Sequence, residues 1–303
     1  MKKILAINYS QTGQLDEIMN EFVSRMNEFD VDRVKIEMDN KFEFPWTTSS
    51  FFNAMPESVN EVPAELSPIT YKYKSYDFII LGYQPWFLSP SIPTISLLKS
   101  GHFKAILKDT PIVTIIGARN MWLNSQIRVV DLIEKGGGKL IGNLPLIDKA
   151  SNLLSAISIL HWMLSGKKER KWGLFPLPGV SQKDIKGAAY FGYLLQEHIL
   201  AGRANIFQTT LIRSGGVIIN TNILFIESRA KAIFRVWASL ILRKEAVGKN
   251  RAFWLGCFKC YLFFALFIIS PVLLLCYNLL IRPFMISEIN NRKYYFSYLG
   301  IDK

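Results

Sequence analysis

The segment "ILAINYSQTGQL", Ile4 to Leu15, combines a strand pattern, a polar turn and the start of a helix pattern. Its apolar run predicts a buried strand over Lys3 to Asn8. Apolar residues at helical spacing predict a helix over Gly13 to Met26. A strand joined to a helix by a short turn is the first half of a βαβ unit, the building block of parallel sheets.

Further apolar runs along the chain have the length of buried strands. These runs are Val31 to Ile36, Asp77 to Gly82, Pro111 to Gly117 and Lys139 to Ile147. They are continuous rather than alternating, which is typical of a parallel sheet covered by helices on both faces. Helical patterns cover Ile95 to Leu107, Trp122 to Glu134 and Asp184 to Leu200. The chain is therefore predicted to form an α/β fold, a doubly wound five-stranded parallel sheet.

Two insertions interrupt the predicted α/β domain, which spans residues 1–202. Residues 42–76 contain "FEFPWTTSSFF" and several prolines. A connection of this length in a compact domain is usually a lid, a binding loop or an interface. Residues 151–179 contain a predicted helix, a basic cluster and the start of "WGLFPLPGV". The aromatic residues of the first insertion indicate an apolar wall.

The positive charge of the chain is concentrated after Gly202. Residues 1–202 carry 22 Lys and Arg against 20 Asp and Glu, a net charge of +2; residues 203–303 carry 14 against 4, a net charge of +10. Such an excess indicates nucleic acid or an anionic membrane surface as a partner. Because the basic residues accompany an uncharged span rather than exposed aromatic residues, we expect a membrane surface and no nucleic acid.

The tail, residues 203–303, combines an amphipathic pattern with an uncharged one. Ile226 to Lys244 predicts a basic amphipathic helix, and Cys260 to Ile281 runs for 22 residues without a formal charge, enough to cross a bilayer. We interpret the tail as a helical, membrane-associating extension; the alternative is a core helix of a helical subdomain. Ser270-Pro271 predicts either a kink in a spanning helix or the tip of a re-entrant hairpin.

The three cysteines, Cys257, Cys260 and Cys276, all lie in this hydrophobic stretch. They provide no disulfide framework, and nothing argues for an oxidising compartment. Cys257 and Cys260 have the spacing of a metal or redox pair, but no further ligand lies nearby in sequence, so we predict no metal site. The strand-like run after Met1 is too short for the core of a signal peptide, and the cytoplasm is therefore the expected location.

Three loops are predicted at the carboxyl ends of strands, where doubly wound sheets bind their ligands. They are Ser10 to Gln14, Gly82 to Pro93 and Gly117 to Gln126. In the first loop, two hydroxyls and the N–H groups around Gly13 meet at a helix N-terminus, which favours an anion. The other two loops each contain a Trp. Together they predict a phosphate site beside two aromatic loops, as a flat cofactor with one phosphate requires.

The Ser-x-Thr-Gly turn resembles the phosphate loop of flavodoxin-like proteins, which hold the FMN ring between loops at the two later positions. The resemblance covers about Met1 to Leu200 and implies FMN as the cofactor. It departs from the family at Leu15, where a hydroxyl residue is usual, and Asp16 adds a negative charge nearby. The residues that it implies in cofactor binding are Ser10, Gln11, Thr12, Gly13, Gln14, Pro85, Trp86, Phe87, Gly117, Arg119, Asn120 and Trp122.

A closer resemblance combines "NYSQTGQL", "FPWTTSSFFNAMPESV", "GYQPWFLSPSIP" and "IGARNMWLNSQ". These motifs resemble dialkylresorcinol condensing enzymes of bacterial aryl-polyene and flexirubin pigment clusters, over about Met1 to Leu240. The resemblance implies an FMN-dependent protein that acts after a ketosynthase and oxidises a 2,5-dialkylcyclohexane-1,3-dione to a 2,5-dialkylresorcinol. Condensation of thioesters ordinarily needs a cysteine nucleophile. Because every cysteine lies in the tail, we expect the redox role rather than condensation.

The catalytic base is not identified by the sequence, and the candidates for catalysis are Arg119, Tyr83 and His161. Arg119 and its neighbour Asn120 are candidates to hold the flavin or polarise a substrate carbonyl; the alternative is a solvated loop pair. His161 lies in an apolar helical pattern, where a structural histidine is the alternative to a base.

The aromatic candidates are Trp86 and Trp122, each of which would contact the flavin ring or serve as a buried structural residue. Two other functions use the same loops: an FMN-dependent NAD(P)H:quinone oxidoreductase and a membrane-tethered flavodoxin-type electron carrier. The expected partners are a lipophilic small-molecule substrate, the pathway ketosynthase, the membrane and a second copy of the chain as a homodimer. The expected location is the cytoplasmic face of the inner membrane.

Overall fold

A five-stranded parallel sheet forms the centre of the computed structural model, which describes residues 1–301. Its strands and those of a small hairpin are β1 (Lys2–Asn8), β2 (Phe29–Lys35), β3 (Phe78–Tyr83), β4 (Pro85–Trp86), β5 (Ser89–Pro90), β6 (Pro111–Ala118) and β7 (Lys139–Ile147). The sheet has the order β2-β1-β3-β6-β7, and all its neighbours run parallel. This order is that of a flavodoxin-like fold, so the predicted fold class is confirmed.

Helices connect the strands and form the tail. They are α1 (Gln14–Val23), α2 (Thr48–Asn53), α3 (Met55–Val59), α4 (Ile92–Lys99), α5 (Gly101–Leu107), α6 (Leu123–Lys135), α7 (Asn152–Ser165), α8 (Gln182–Leu200), α9 (Phe207–Arg213), α10 (Thr221–Ala246), α11 (Arg251–Phe264), α12 (Ser270–Cys276) and α13 (Ile286–Tyr298). One helix predicted over Ile95 to Leu107 is in fact two, α4 and α5. Ser100 between them is extended, with ψ at 139°, and its hydroxyl accepts the Phe103 N–H to cap α5.

The helices cover both faces of the sheet. The chain moves in one direction from β1 to β2 and in the other from β3 through β6 to β7. Because crossovers between parallel strands are right-handed, α1 lies on one face and α4 to α6 lie on the other. Helix α8 packs against α1. Strand residues such as Leu5, Ile80 and Ile115 are fully buried, as the continuous apolar runs predict.

The two insertions meet beside the carboxyl edge of the sheet. The first carries α2 and α3, and the second carries α7. The Trp46 N–H of the first insertion donates to the Met163 carbonyl of the second at 2.8 Å. Trp46 itself is buried. The insertions therefore form one joint cover over this part of the molecule.

The tail packs into two separate apolar cores. Phe207 of α9 and Phe296 of α13 belong to the main core around the sheet. A second core joins Phe234 of α10 and Phe258 of α11 to α3 and to Leu88 of the β4–β5 hairpin. The tail thus contributes side chains to the α/β body instead of extending away from it.

Helices α11 and α12 are parts of one continuous helix, Arg251–Phe284, which we call the long apolar helix. It includes π-helical turns over Ala265–Ile269 and Tyr277–Ile281. The first of these lies directly before Pro271, where a widened turn accommodates the missing proline N–H. Ser270 has helical φ and ψ, so no hairpin tip occurs there. Within residues 1–301, this is the one helix that is long and apolar enough to cross a membrane.

Candidate functional site

A cavity of about 210 Å³ lies at the carboxyl edge of the sheet, where all three predicted loops converge. Such edges are the ligand sites of doubly wound sheets. The loops and both insertions line it through Gln11, Thr12, Gln14, Leu15, Ile18, Trp46, Phe51, Ala54, Gln84, Pro85, Trp86, Phe87, Gly117, Ala118, Arg119, Ile159, Trp162, Met163 and Gly179. Eight of the implied cofactor residues are in this set. The volume is below the roughly 300–1,000 Å³ of ordinary ligand pockets.

The first loop leads into the N-terminus of α1. The Ser10 hydroxyl accepts the Leu15 N–H at 3.1 Å, and the Thr12 hydroxyl accepts the Gln14 N–H at 3.4 Å. Gly13 supplies the turn with a φ of 82°, a conformation that favours glycine. Among residues 1–301, the N–H groups of Thr12 and Gly13 donate no hydrogen bond. These free donors at a helix N-terminus can bind an anion.

The negative charge of the Asp16 carboxylate repels an anion at this loop less than the sequence suggests. Its carboxylate accepts hydrogen bonds from Asn8 Nδ2 at 2.8 Å and from Lys35 Nζ at 2.9 Å. The Lys35 ammonium offsets its charge on the side of β2. The negative charge is therefore compensated locally.

The second loop is the β4–β5 hairpin, whose two-residue turn is strained. Phe87 and Leu88 have φ values of 48° and 63°, as in a type I′ turn, which normally has Asn-Gly. Left-handed backbone costs non-glycine residues about 1–2 kcal/mol each. Hydrogen bonds hold the hairpin: Ser58 Oγ donates to the Trp86 carbonyl at 3.0 Å, and Lys231 Nζ donates to the Leu88 carbonyl at 3.2 Å. The hairpin presents Trp86 and Phe87 to the cavity.

The first insertion completes an aromatic wall around Trp86. The ring of Trp86 lies 5.4 Å from that of Trp46 and 5.0 Å from that of Phe42, both at steep angles. Phe51 of α2 lies 5.1 Å from Phe87. Edge-to-face pairs at these distances are favourable aromatic contacts. The predicted apolar wall is present and faces the cavity.

The second insertion closes the opposite side through a pair of hydrogen bonds to the first loop. The Gln14 side chain donates to the Val180 carbonyl at 3.0 Å and accepts the Val180 N–H at 2.9 Å. Gly179, with a φ of 83°, lies so close that a Cβ atom there would be 2.5 Å from Gln14 Oε1. Only glycine fits this approach. The loop after α7 is thus fixed against the predicted phosphate loop.

Arg119 is the cation of the cavity. It is partly buried, and it lines the cavity. Its Nη1 donates to the Asn152 carbonyl at 2.9 Å, but within residues 1–301 no carboxylate lies within ion-pair distance. Burial lowers the pKa of Arg119 to about 10. Asp148 and Glu227 act on its charge only from beyond ion-pair distance, so the guanidinium favours an anionic or electron-rich ligand in the cavity.

Two of the three catalytic candidates lie outside the cavity. The Tyr83 hydroxyl is fully buried in the core, donates to Gln126 Oε1 at 2.7 Å, and has a pKa raised well above its ordinary value by burial. His161 lies on α7, but its Nε2 faces Glu169 at 3.4 Å, away from the cavity-lining residues of that helix. Only Arg119 of the three lines the cavity.

Four implied cofactor residues also lie off the cavity wall. Trp122 is almost completely buried in the main core, directly before α6, so its ring is a packing residue and not part of the wall. Asn120 is buried and donates to Asn152 Oδ1 at 2.9 Å, while its own Oδ1 has no partner in the part of the chain that the structure describes. Ser10 and Gly13 shape the first loop without lining the cavity.

Sequence reasoning missed a pair of buried charges on α10 behind the loops. Glu227 Oε1 accepts the Asn124 N–H at 2.7 Å and so caps α6, while Oε2 is buried with no hydrogen-bond partner among residues 1–301. Burial raises the pKa of Glu227 to about 7. Lys231, one turn later, has its pKa lowered by burial to about 8 and holds the hairpin at Leu88 and Ser89. The only sequence signal was an acid next to an apolar run, "NILFIESRAK".

Comparisons with solved structures return flavoproteins. A flavoprotein in complex with FMN from Lactobacillus acidophilus NCFM matches 48% of this chain and 93% of its own, at 15% identity and a TM-score of 0.40. A flavodoxin from the domain Archaea matches 65% and 99%, at 8% identity and 0.36. A flavone reductase matches 65% and 62%, at 14% identity and 0.36. At these TM-scores and identities, the comparisons support no argument about the ligand or the reaction of this chain.

No protein-family model matches the chain, and no curated protein matches it either. Within residues 1–301, no group of three or more His, Cys, Asp or Glu side chains could hold a metal ion.

Proposed function

We propose that the protein is an FMN-dependent oxidoreductase that oxidises a 2,5-dialkylcyclohexane-1,3-dione to a 2,5-dialkylresorcinol. The observation that carries this proposal is Arg119, a partly buried cation in a largely apolar cavity, with no carboxylate of residues 1–301 within ion-pair distance. Such a cavity favours a ligand with flat apolar faces and with hydrogen-bond acceptors. An electron-rich ring system has both, since its faces contact aromatic side chains and its oxygens accept hydrogen bonds. The resemblance of the loop motifs to dialkylresorcinol condensing enzymes supplies the substrate class.

The residues present fit FMN. The free N–H groups of Thr12 and Gly13 and the Thr12 hydroxyl are the donors for a phosphate, and Lys35 offsets the nearest carboxylate. The hairpin at Trp86 and the loop at Gly117 would hold the ring between them. When bound, FMN would supply the hydride acceptor that the aromatisation needs.

Arg119 would bind an oxygen of the dione and stabilise its enolate. A 1,3-dione already has acidic hydrogens, so a buried guanidinium that stabilises the enolate lowers the barrier to losing the first proton. The aromatic wall of Trp46, Trp86 and Phe51 excludes water from the ring that reacts. Loss of one proton and one hydride then converts the dione into the resorcinol.

The apolar surroundings also suit the alkyl chains of the substrate. We propose that the protein works at the cytoplasmic face of the inner membrane, where a dialkyl substrate would partition, and that a ketosynthase supplies the dione. The basic tail and the long apolar helix support this location. The insertions that cover the cavity argue against an electron carrier, which needs an exposed flavin edge.

A visible absorption spectrum of the purified full-length chain tests the cofactor. We expect a flavin band, or its appearance after FMN is added; the absence of both would refute the proposal. Anaerobic mixing with a 2,5-dialkylcyclohexane-1,3-dione should then bleach the band without NAD(P)H and yield the resorcinol by mass spectrometry. Bleaching by NAD(P)H alone would instead support the quinone reductase.

A further inference from the structure

The long apolar helix lies along α10 for most of its length. Its buried residues, Leu255, Phe258, Ser270 and Tyr277, fall on one side of the helix. Phe258 packs against Phe234 of α10 at 5.3 Å, and both α11 and α12 contact α10. The helix is therefore attached to the body along one face rather than at one end.

The N-terminal end of this helix is fixed to the body by Arg251. Its guanidinium donates to Asn53 Oδ1 at 2.7 Å, to Glu57 Oε2 at 2.7 Å and to Glu245 Oε2 at 2.5 Å. Asn53 and Glu57 belong to α2 and α3 of the first insertion. Three such charge-assisted bonds place Arg251 firmly on the α/β body.

The C-terminal end of the same helix is also fixed to the body. The Tyr277 ring stacks on Phe225 of α10 with ring centres 3.8 Å apart. After the helix ends, α13 returns, and its Phe296 is buried in the main core. The Ser297 carbonyl accepts a hydrogen bond from Gln208 Nε2 at 2.5 Å. Both ends of the long apolar helix therefore pack on the same folded body.

A helix that crosses a bilayer must place its ends on opposite sides of about 30 Å of hydrocarbon. Here a crossing would place the charges of α10, such as Arg229, Lys231 and Arg235, at the depth of the lipid chains. Each charge there costs at least about 2.5 kcal/mol. We infer that the long apolar helix instead lies in the plane of the membrane and binds an anionic bilayer surface through its exposed face, without crossing.

The exposed face has the pattern that this binding requires. Phe264, Ile268, Val272, Leu275 and Leu279 recur every three or four residues, and each is more than half exposed. This spacing places them on one stripe of the helix. In the sequence, cationic residues occur at both ends of the stripe, Lys249 before it and Arg282, Arg292 and Lys293 after it. An apolar stripe with basic borders matches the acyl boundary and the headgroups of anionic lipid.

The inference rests on the proposed membrane location but not on the proposed reaction. In-plane binding also gives a reason for the membrane location, because the buried side of the long apolar helix contacts residues that lead to the cavity wall. Phe258 lies 6.3 Å from Phe52 of α2, and Phe52 lies 6.5 Å from Phe87 of the hairpin. These rings form an apolar connection between the membrane-facing helix and the candidate site.

Vesicle binding tests the docking surface. Wild-type full-length protein should sediment with vesicles of phosphatidylcholine and phosphatidylglycerol, and Val272→Asp with Leu275→Asp should weaken binding at least tenfold. Leu200→Asp, on the exposed end of α8, is the matched control and should leave binding unchanged. Circular dichroism confirms the fold of each variant. The inference would be overturned if the wild type bound no vesicles. It would also be overturned if the wild type formed a dimer that the double variant dissociates. Neither outcome affects the flavin spectrum, which tests the cofactor separately.

Site-specific labelling tests the in-plane orientation. In a chain whose three native cysteines are replaced by serine, Lys249→Cys and Ser287→Cys place one thiol beyond each end of the helix. Each variant is expressed in a bacterial host. A membrane-impermeant maleimide should label both cysteine positions in inverted vesicles and neither position in intact spheroplasts. Labelling of one position in spheroplasts would show a spanning helix and overturn the inference, even if vesicle binding is observed.

Discussion

At Arg119, function and stability make opposite demands on one side chain. A partly buried guanidinium that forms no ion pair within residues 1–301 is costly to the fold, and desolvation lowers its pKa to about 10. The same charge is what a cavity needs to bind an enolate or a flavin carbonyl. A charged side chain in such a cavity is better explained by ligand binding than by packing.

Arg119→Met should therefore separate the two effects. We expect the rate at which a dione bleaches the bound flavin to fall roughly 10²-fold, as when an oxyanion donor is lost. The midpoint of thermal unfolding should change little, because removing a partly buried charge offsets the hydrogen bond and the contacts that the longer arginine makes. Arg203→Met, on an exposed turn, is the control for both measurements. A fall in stability with an unchanged bleaching rate would assign Arg119 a structural role.

Thr12 tests the placement of the phosphate. Thr12→Ala removes a hydroxyl from the anion site, and we expect the Kd for FMN, measured by fluorescence quenching, to rise about fivefold to tenfold. Leu15→Val in the same loop shortens a cavity-lining side chain but removes no hydrogen-bonding group, so it should raise the Kd less than Thr12→Ala does. Equal losses at both positions would mean that the phosphate lies elsewhere.

Glu227 makes stability depend on pH. Its pKa is raised from 4.5 to about 7, so the folded state binds the proton more tightly than the unfolded state. The stabilisation is fully present below pH 4.5 and is lost as the pH rises through 7, a change of about 3 kcal/mol. Urea unfolding at pH 5 and pH 8 measures it, and Glu227→Gln should remove this part of the difference. An identical difference in the variant would exclude Glu227 as its source.

At the scale of elements, the β4–β5 hairpin depends on α10. Its turn has two non-glycine residues in the left-handed region, and Lys231 holds it from outside through the Leu88 carbonyl and Ser89. A strained element keeps its shape only while its surroundings determine it. The tail therefore helps to position the loop that presents Trp86 to the cavity.

Lys231→Met should weaken this coupling. We expect the Kd for FMN to rise about tenfold because the hairpin loses two hydrogen bonds, while the thermal midpoint changes little since a buried charge is removed with them. Lys186→Met, on the exposed side of α8, is the control. An unchanged Kd would show that the hairpin holds its shape without α10.

At the scale of the whole molecule, the tail is not a removable anchor. Residues beyond Lys249 supply Phe258 to the second core and Phe296 and Leu299 to the main core. Each buried side chain of this size contributes about 1.5–3 kcal/mol, comparable in sum to the stability of a domain.

Truncation after Lys249 should consequently unfold the protein. We expect the shortened chain to aggregate or to lose its cooperative thermal transition by circular dichroism. The substitutions at Val272 and Leu275 should preserve the transition because both side chains are exposed. A truncated chain that unfolds cooperatively near the wild-type midpoint would show that the α/β domain is independent of the tail.

Local patterns predicted the sheet and the convergence of the three loops, because strands and helix starts depend on nearby residues. Which loop residues face the cavity depends on the hairpin turn and on the start of α6; Trp86 and Trp122 look alike in sequence but lie in different surroundings. Lys231 comes from more than 140 residues beyond the hairpin that it holds. Such long-range packing leaves little local signal.

The return of α13 to the main core affects the order in which the chain can fold during synthesis. The sheet core cannot be completed until Phe296 and Leu299 have left the ribosome, so the long apolar helix emerges before the body that covers one of its faces is finished. At 5–20 residues per second, the roughly 50 residues from Arg251 to Leu299 take several seconds to synthesise. During that interval the main core is incomplete and the exposed stripe of the helix is uncovered, so the nascent chain is a ligand for chaperones or lipid.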